Sequence, residues 1–125
     1  MVNTILNVST LTEKVNELNS MIQQGKVLEA FEKFYATDVT MQENEDQPTY
    51  GKDACRINEE AFVNNILEFR KADIQHVVIG DRLSVVQWSF DFTHKEWGER
   101  NYNQIAIQRW NEQGQIINEK FYYNS

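Results

Sequence analysis

Gln87-Trp88-Ser89-Phe90-Asp91-Phe92-Thr93-His94 alternates without a break. Trp88, Phe90 and Phe92 fall on one side of an extended chain, and Gln87, Ser89, Asp91 and Thr93 fall on the other. That is the signature of a half-buried β-strand, predicted over 83–95, and period two gives the next inward position to His94. Outward from it, alternation and turn residues predict further strands near 73–79, 100–110 and 115–123. The turns between them fall at Gly80-Asp81, around Trp97-Gly98 and at Asn111-Glu112-Gln113-Gly114. Such short turns predict antiparallel neighbours.

The first half of the chain has a different period. Leu11, Val15, Leu18 and Ile22 recur at helical intervals behind Thr10 and Glu13, which have capping-box spacing, and Gly25 is the expected stop. A shorter helix follows, with Val27, Leu28, Phe31, Phe34 and Tyr35 on one face. Asp38 to Glu45 then alternates, with Val39, Met41, Glu43 and Glu45 sharing a side. After a polar link holding the only proline, Pro48, Gly51 precedes a third helix predicted over 53–69, with a stripe of Ala54, Ile57, Ala61, Phe62, Ile66 and Phe69. Three helices followed by a curved antiparallel sheet predict an α+β domain over 1–125, with the helices on one face of the sheet.

Composition narrows the function classes. The chain is 41% hydrophobic and 25% charged with a formal net charge of −7, the wrong sign for tracking nucleic-acid phosphates. Apolar runs stop at three residues, as in Val77-Val78-Ile79, so neither a membrane span nor a secretory leader is expected. Cys55 is the only cysteine, which excludes an internal disulfide and makes a reducing, cytoplasmic setting the expectation. Phosphate loops and nucleophile elbows are missing from the sequence, and the two histidines lack metal-ligand spacing. Cys55 itself reads as a small core or boundary residue, and His76 as an ordinary sheet histidine.

Strand parity carries the chemistry. If Val39 and Met41 face inward, so does Glu43; beyond Phe92 comes His94; and Ile117, Phe121 and Tyr123 share their side with Glu119. Three strands thus each put a titratable group on an otherwise apolar face. A carboxylate so placed must be paired, protonated or solvated by cavity water. Glu43 and His94 lie near strand ends, where reaching solvent is the simpler explanation. For Glu119, mid-strand, the simpler explanation is a structural ion pair or a hydrogen bond to a buried Tyr or Trp. The aromatic side chains of Trp88, Phe90, Phe92, Phe121 and Tyr123 are expected to wall a pocket.

Three stretches carry a family likeness: Glu29-Ala30-Phe31 through Phe34-Tyr35-Ala36-Thr37-Asp38-Val39-Thr40, then Pro48-Thr49-Tyr50-Gly51-Lys52-Asp53-Ala54, then Glu119-Lys120-Phe121-Tyr122-Tyr123. In order and spacing the chain resembles the SnoaL-like branch of the nuclear transport factor 2-like superfamily. The resemblance implies a cone-shaped domain in which a strongly bent sheet wraps helices and leaves a cavity, commonly dimeric through the outer sheet face. Ile105 and Ile107 agree with a covered outer face, since they oppose Ala106 in parity. Aligned with the superfamily's ketosteroid isomerases, the general-base carboxylate falls on Glu43, while one oxyanion donor falls near Leu18 and the other on Ala106, neither of which can donate. A lost donor of that kind costs about 3–4 kcal/mol of transition-state stabilisation, which argues against steroid isomerisation.

Two functions fit. In one, the protein performs proton transfer on a small apolar carbonyl or polyketide-like substrate without metal or organic cofactor. Glu43 is then the base, His94 and Glu119 are its proton-handling partners, and the resemblance adds Gln104 as a hydrogen-bond donor. In the other, it is a non-catalytic ligand-binding or dimerisation domain. Fold alone does not choose between them.

Overall fold

Asn7, rather than Thr10, caps the first helix, α1 (Val8–Gln23): its Oδ1 accepts from the Thr10 backbone N–H at 2.9 Å. An asparagine oxygen reaches the same orphan donors as a threonine hydroxyl, so Thr10 lies inside the first turn. Gly25, at φ +80°, follows the end of the helix as expected. Helix α2 (Val27–Phe34) stops one residue sooner than its apolar face suggests, and Tyr35 opens strand β1 (Tyr35–Glu43). The computed structural model describes residues 6–124, so the two ends of the expected 1–125 domain lie outside the described residues.

The remaining elements are β2 (Thr49–Tyr50), α3 (Lys52–Asn64), β3 (Ile66–Gly80), β4 (Leu83–His94), β5 (Gly98–Trp110) and β6 (Ile116–Tyr123). With β1, these five strands form one open six-stranded sheet among the described residues, in the order β2-β1-β6-β5-β4-β3. The expected α+β class is present. One pairing corrects the antiparallel expectation: β1 runs parallel to β6, so the sheet is mixed. β3 to β6 are joined by tight turns that can only reverse direction, whereas β1 meets β6 from far along the chain with no turn to set its sense.

The largest departure from the sequence reading lies between 65 and 69, where the third helix is expected to continue. Helix α3 ends at Asn64, and Ile66 and Phe69 belong to β3. Ile66, Phe69 and Ala72 pair with His94, Phe92 and Phe90, with register shifts between Ile66 and Glu68 and between Phe69 and Lys71. Each bulge inserts one residue, so inward side chains recur every three positions and imitate a helical period. A third shift, between Ile74 and His76, explains why Ile74 and Ile79 both face inward despite their opposite parity. The face of α3 is corrected as well. Ile57 is 68% exposed, and Cys55, Glu59 and Phe62 are the residues turned inward.

Leu11, Val15 and Leu18 of α1 and Phe31 and Phe34 of α2 pack against Val86, Trp110 and Ile116 of the sheet. Each such side chain contributes about 1.5–3 kcal/mol on leaving water. The helices thereby fill one half of the inner sheet face and leave the other half, under α3, unfilled. No helix among the described residues is long and apolar enough to cross a membrane.

Candidate functional site

A cavity of about 810 Å³ lies between α3 and the inner face of the sheet. That is the size of a small-molecule site. Alternation along β4 puts Trp88, Phe90, Phe92 and His94 on its wall, and the ladders to β5 and β6 align Gln104, Phe121 and Tyr123 with them. Trp88 and Phe90 stack at 5.2 Å, and Phe92 meets Phe62 of α3 edge-on at 5.6 Å. These contacts fix ring positions, so the apolar wall is preformed.

Glu119 is buried and fully occupied. Its Oε1 accepts from the Tyr35 hydroxyl and its Oε2 from the Gln108 side-chain amide at 2.7 Å. Gln108 in turn accepts from the Ser84 hydroxyl at 2.6 Å, and Ser84 accepts from the Trp110 indole N–H at 2.9 Å. Burial raises the Glu119 pKa to about 7, against the lowering effect of these two hydrogen bonds. The same burial, with Glu119 alongside, pushes the Tyr35 hydroxyl well up.

Glu59 is the other desolvated carboxyl group. It lines the cavity from α3 and accepts no hydrogen bond among the described residues. Desolvation first, then the charges of Glu119 and Glu43, raise its pKa to about 8. Glu43 lies on the same inner side of β1 but at an exposed position. The Tyr123 hydroxyl is raised by burial and by Glu43 next to it.

His94 is buried and stacked on Trp97 at 3.9 Å, with the Phe62 ring 6.0 Å from each of them. Its Nδ1 accepts from the Glu96 backbone N–H at 3.1 Å, so the ring hydrogen sits on Nε2, which has no partner among the described residues. The residue of β4 that shares Glu119's row is Ser84, and His94 lies ten positions further along that strand. At ~3.3 Å per residue that is about 33 Å of extended chain. Register sets Glu43, opposite Phe121, two positions from Glu119's row and leaves His94 in another part of the cavity, while Glu59 enters from α3 close enough for the charges of Glu119 and Glu43 to act on it. Among the described residues no group of three His, Cys, Asp or Glu side chains is placed to hold a metal ion.

Tyr35, Glu59 and the relay behind Glu119 are additions to the sequence reading. Cys55, Glu59 and Phe62 share one helix face at i, i+4 and i+7, a spacing legible in the sequence but hidden by the stronger apolar run through Ile57. Tyr35 was obscured because its apolar neighbours suit a helix and a strand equally.

Both raised carboxyl groups make a stability prediction. Their folded pKa values exceed the ordinary 4.5, so the native state holds protons that the unfolded chain has released. Stability is fully present below about pH 4.5 and is lost as pH rises through 7 and 8. Urea unfolding should show a loss on the order of a few kcal/mol between pH 5 and 9. The double variant Glu59→Gln/Glu119→Gln should flatten that slope.

The molecule's shape and sequence both have relatives. It is similar to a Mesorhizobium loti protein assigned as a SnoaL-like polyketide cyclase, with TM-score 0.80 and 23% identity over 91% of this chain and 99% of that one. It is similar to a Xanthomonas campestris protein assigned as a polyketide cyclase, with TM-score 0.78 and 21% identity over 95% and 93% of the two chains. A Burkholderia pseudomallei protein of unknown function, nuclear transport factor 2-like, superposes with TM-score 0.72 and 14% identity over 99% and 92%. These identities speak for the fold, which is that of the nuclear transport factor 2-like proteins. No curated protein matches the sequence. The family model of the SnoaL-like domain matches residues 9–123. With that match running from the first turn of α1 to the end of β6, the chain belongs to the SnoaL-like domain family.

Proposed function

We propose that this SnoaL-like domain is a cofactor-independent proton-transfer enzyme for a small, mostly apolar carbonyl or polyketide-like substrate, with Glu59 as proton acceptor. One observation carries the reading: a carboxyl group with no hydrogen-bond partner among the described residues faces an apolar cavity, with its pKa raised to about 8. A base so placed holds its proton strongly enough to take one from carbon and loses it readily near neutral pH. Exposure favours Glu59 over Glu43 for this role, and Glu43 is assigned the mouth with Tyr123. His94 is assigned the far wall, where its free Nε2–H can orient a substrate oxygen. Supporting the alternative of a non-catalytic binding domain, both oxygens of Glu119 are held as in a structural network.

The probe is 2-tetralone in D2O, followed by loss of its α-proton NMR signal. Exchange faster than in matched carboxylate buffer is the expected result. Line broadening of the bound ketone with exchange at the buffer rate would favour the binding domain.

We further propose a cytoplasmic homodimer. Val78, 62% exposed, and Ile105, 40% exposed, lie on the outer sheet face and support a covering second copy. Light scattering should give twice the monomer mass at concentrations of tens of micromolar, and Ile105→Asp should return it to one. A wild-type monomer under those conditions would remove this part of the reading.

A further inference from the structure

The relay behind Glu119 has a fixed direction. An indole N–H can only donate, so Ser84 must accept from Trp110 and spend its own hydrogen on Gln108 Oε1. That leaves the Gln108 amide nitrogen, again only a donor, facing Glu119 Oε2. Trp110, Ser84, Gln108 and Glu119 are all buried, so water does not scramble the order. Glu119 therefore cannot be protonated on Oε2 without two hydrogens meeting there. Its proton has one place to go, the oxygen that faces Tyr35.

We infer that Tyr35 is the cavity's hydrogen-bond donor to a ligand carbonyl, released for that role when Glu119 takes up a proton, and that Trp110, Ser84 and Gln108 are positioning residues that force this proton onto Oε1. With Glu119 ionised, Tyr35 donates to it. When a proton arrives on Oε1, that O–H donates to the tyrosine oxygen. Tyr35 keeps its own hydrogen and turns it toward the cavity, which it lines. No bond within the tyrosine breaks, and the pair gains one positive charge. The groups facing the pair are Glu59 and Cys55 from α3, Gln108 from β5 and, acting on Glu59, Glu43 from β1. Since burial brings Glu119 to about 7, the exchange of partners falls near neutral pH.

This deepens the proposed function, resting on it for the carbonyl class, yet it is tested without turnover. Protein labelled with ¹³C at tyrosine Cζ and glutamate Cδ is titrated from pH 5 to 9. Tyr35 and Glu119 should shift together at one midpoint. Gln108→Leu should move both midpoints upward, because a donor to the ionised form is gone. Ser84→Ala removes one core hydroxyl and carries the test if Gln108→Leu does not fold. With Gln108 free to turn, Glu119 can protonate on either oxygen, and the Tyr35 excursion should shrink. Bound 2-tetralone should show a lowered carbonyl stretch below the midpoint, absent in Tyr35→Phe. Titration of Glu119 with Tyr35 silent, or Ser84→Ala identical to wild type, would overturn the inference. Joint titration with no ketone exchange in the wild type would support it while removing the enzymatic reading.

Discussion

Glu59→Gln is expected to slow α-proton exchange of 2-tetralone by about 10²–10⁴-fold, the range that a positioned base contributes. The substitution keeps the shape of the side chain and removes only its ability to hold a proton. Glu59 makes no hydrogen bond among the described residues, so folding and ketone binding should survive the change. The variant should also be more stable than the wild type above pH 8, where an ionised Glu59 is held in a desolvated site beside Glu119 and Glu43. Glu43→Gln is the control: an exposed carboxylate at the mouth should affect binding or entry more than the rate of exchange. Wild-type exchange in Glu59→Gln together with its loss in Glu43→Gln would return the base to β1.

Trp110→Ala should cost about 3–5 kcal/mol, the usual price of emptying a buried tryptophan site. Trp110 is only 2% exposed, meets Phe34 edge-on at 6.2 Å and donates to Ser84 at 2.9 Å. Its loss removes the contact between α2 and the end of β5 and also leaves Ser84 without its donor. Against a typical stability of about 5–15 kcal/mol, such a change is a large fraction of the whole. The urea midpoint should fall accordingly with an unchanged slope. Trp110→Phe keeps an aromatic ring in the site but loses the pyrrole ring with its donor, and should cost less than Trp110→Ala yet more than about 0.5–1.5 kcal/mol, the net worth of one hydrogen bond. Equal losses in the two variants would mean that the relay, not the packing, holds this end of the core.

The strand over 83–94 was legible because nothing interrupts its alternation, and with it came the wall of Trp88, Phe90, Phe92 and His94. β3 was partly illegible because period two survives only where no bulge intervenes, and three register shifts break it. Two of them space Ile66, Phe69 and Ala72 as a helix would. The sense of β1 against β6 could not be read locally, since no turn connects them. Parity did isolate Glu119, and one of its two simple explanations, a hydrogen bond to a buried tyrosine, is present as the Tyr35 contact. It did not reveal Glu59, whose importance comes from the space beneath α3 and not from any local pattern. Burial of a helix face depends on what lies opposite, which a sequence pattern records only when the face is apolar throughout.

The pH dependence of 2-tetralone exchange in the wild type, corrected for buffer, tests the central claim most directly. Glu59 must be ionised to accept a proton, and Glu119 must be protonated to free Tyr35. Because the two carboxyl groups are coupled, the profile belongs to the pair. It should be bell-shaped, rising about tenfold per pH unit on its acid limb and peaking between pH 7 and 8, where the pair holds one proton. A missing alkaline limb would remove only the role given to Tyr35. An acid limb that bends near pH 4.5, the ordinary value for a glutamate, or a rate that does not depend on pH, would contradict Glu59 as the proton acceptor.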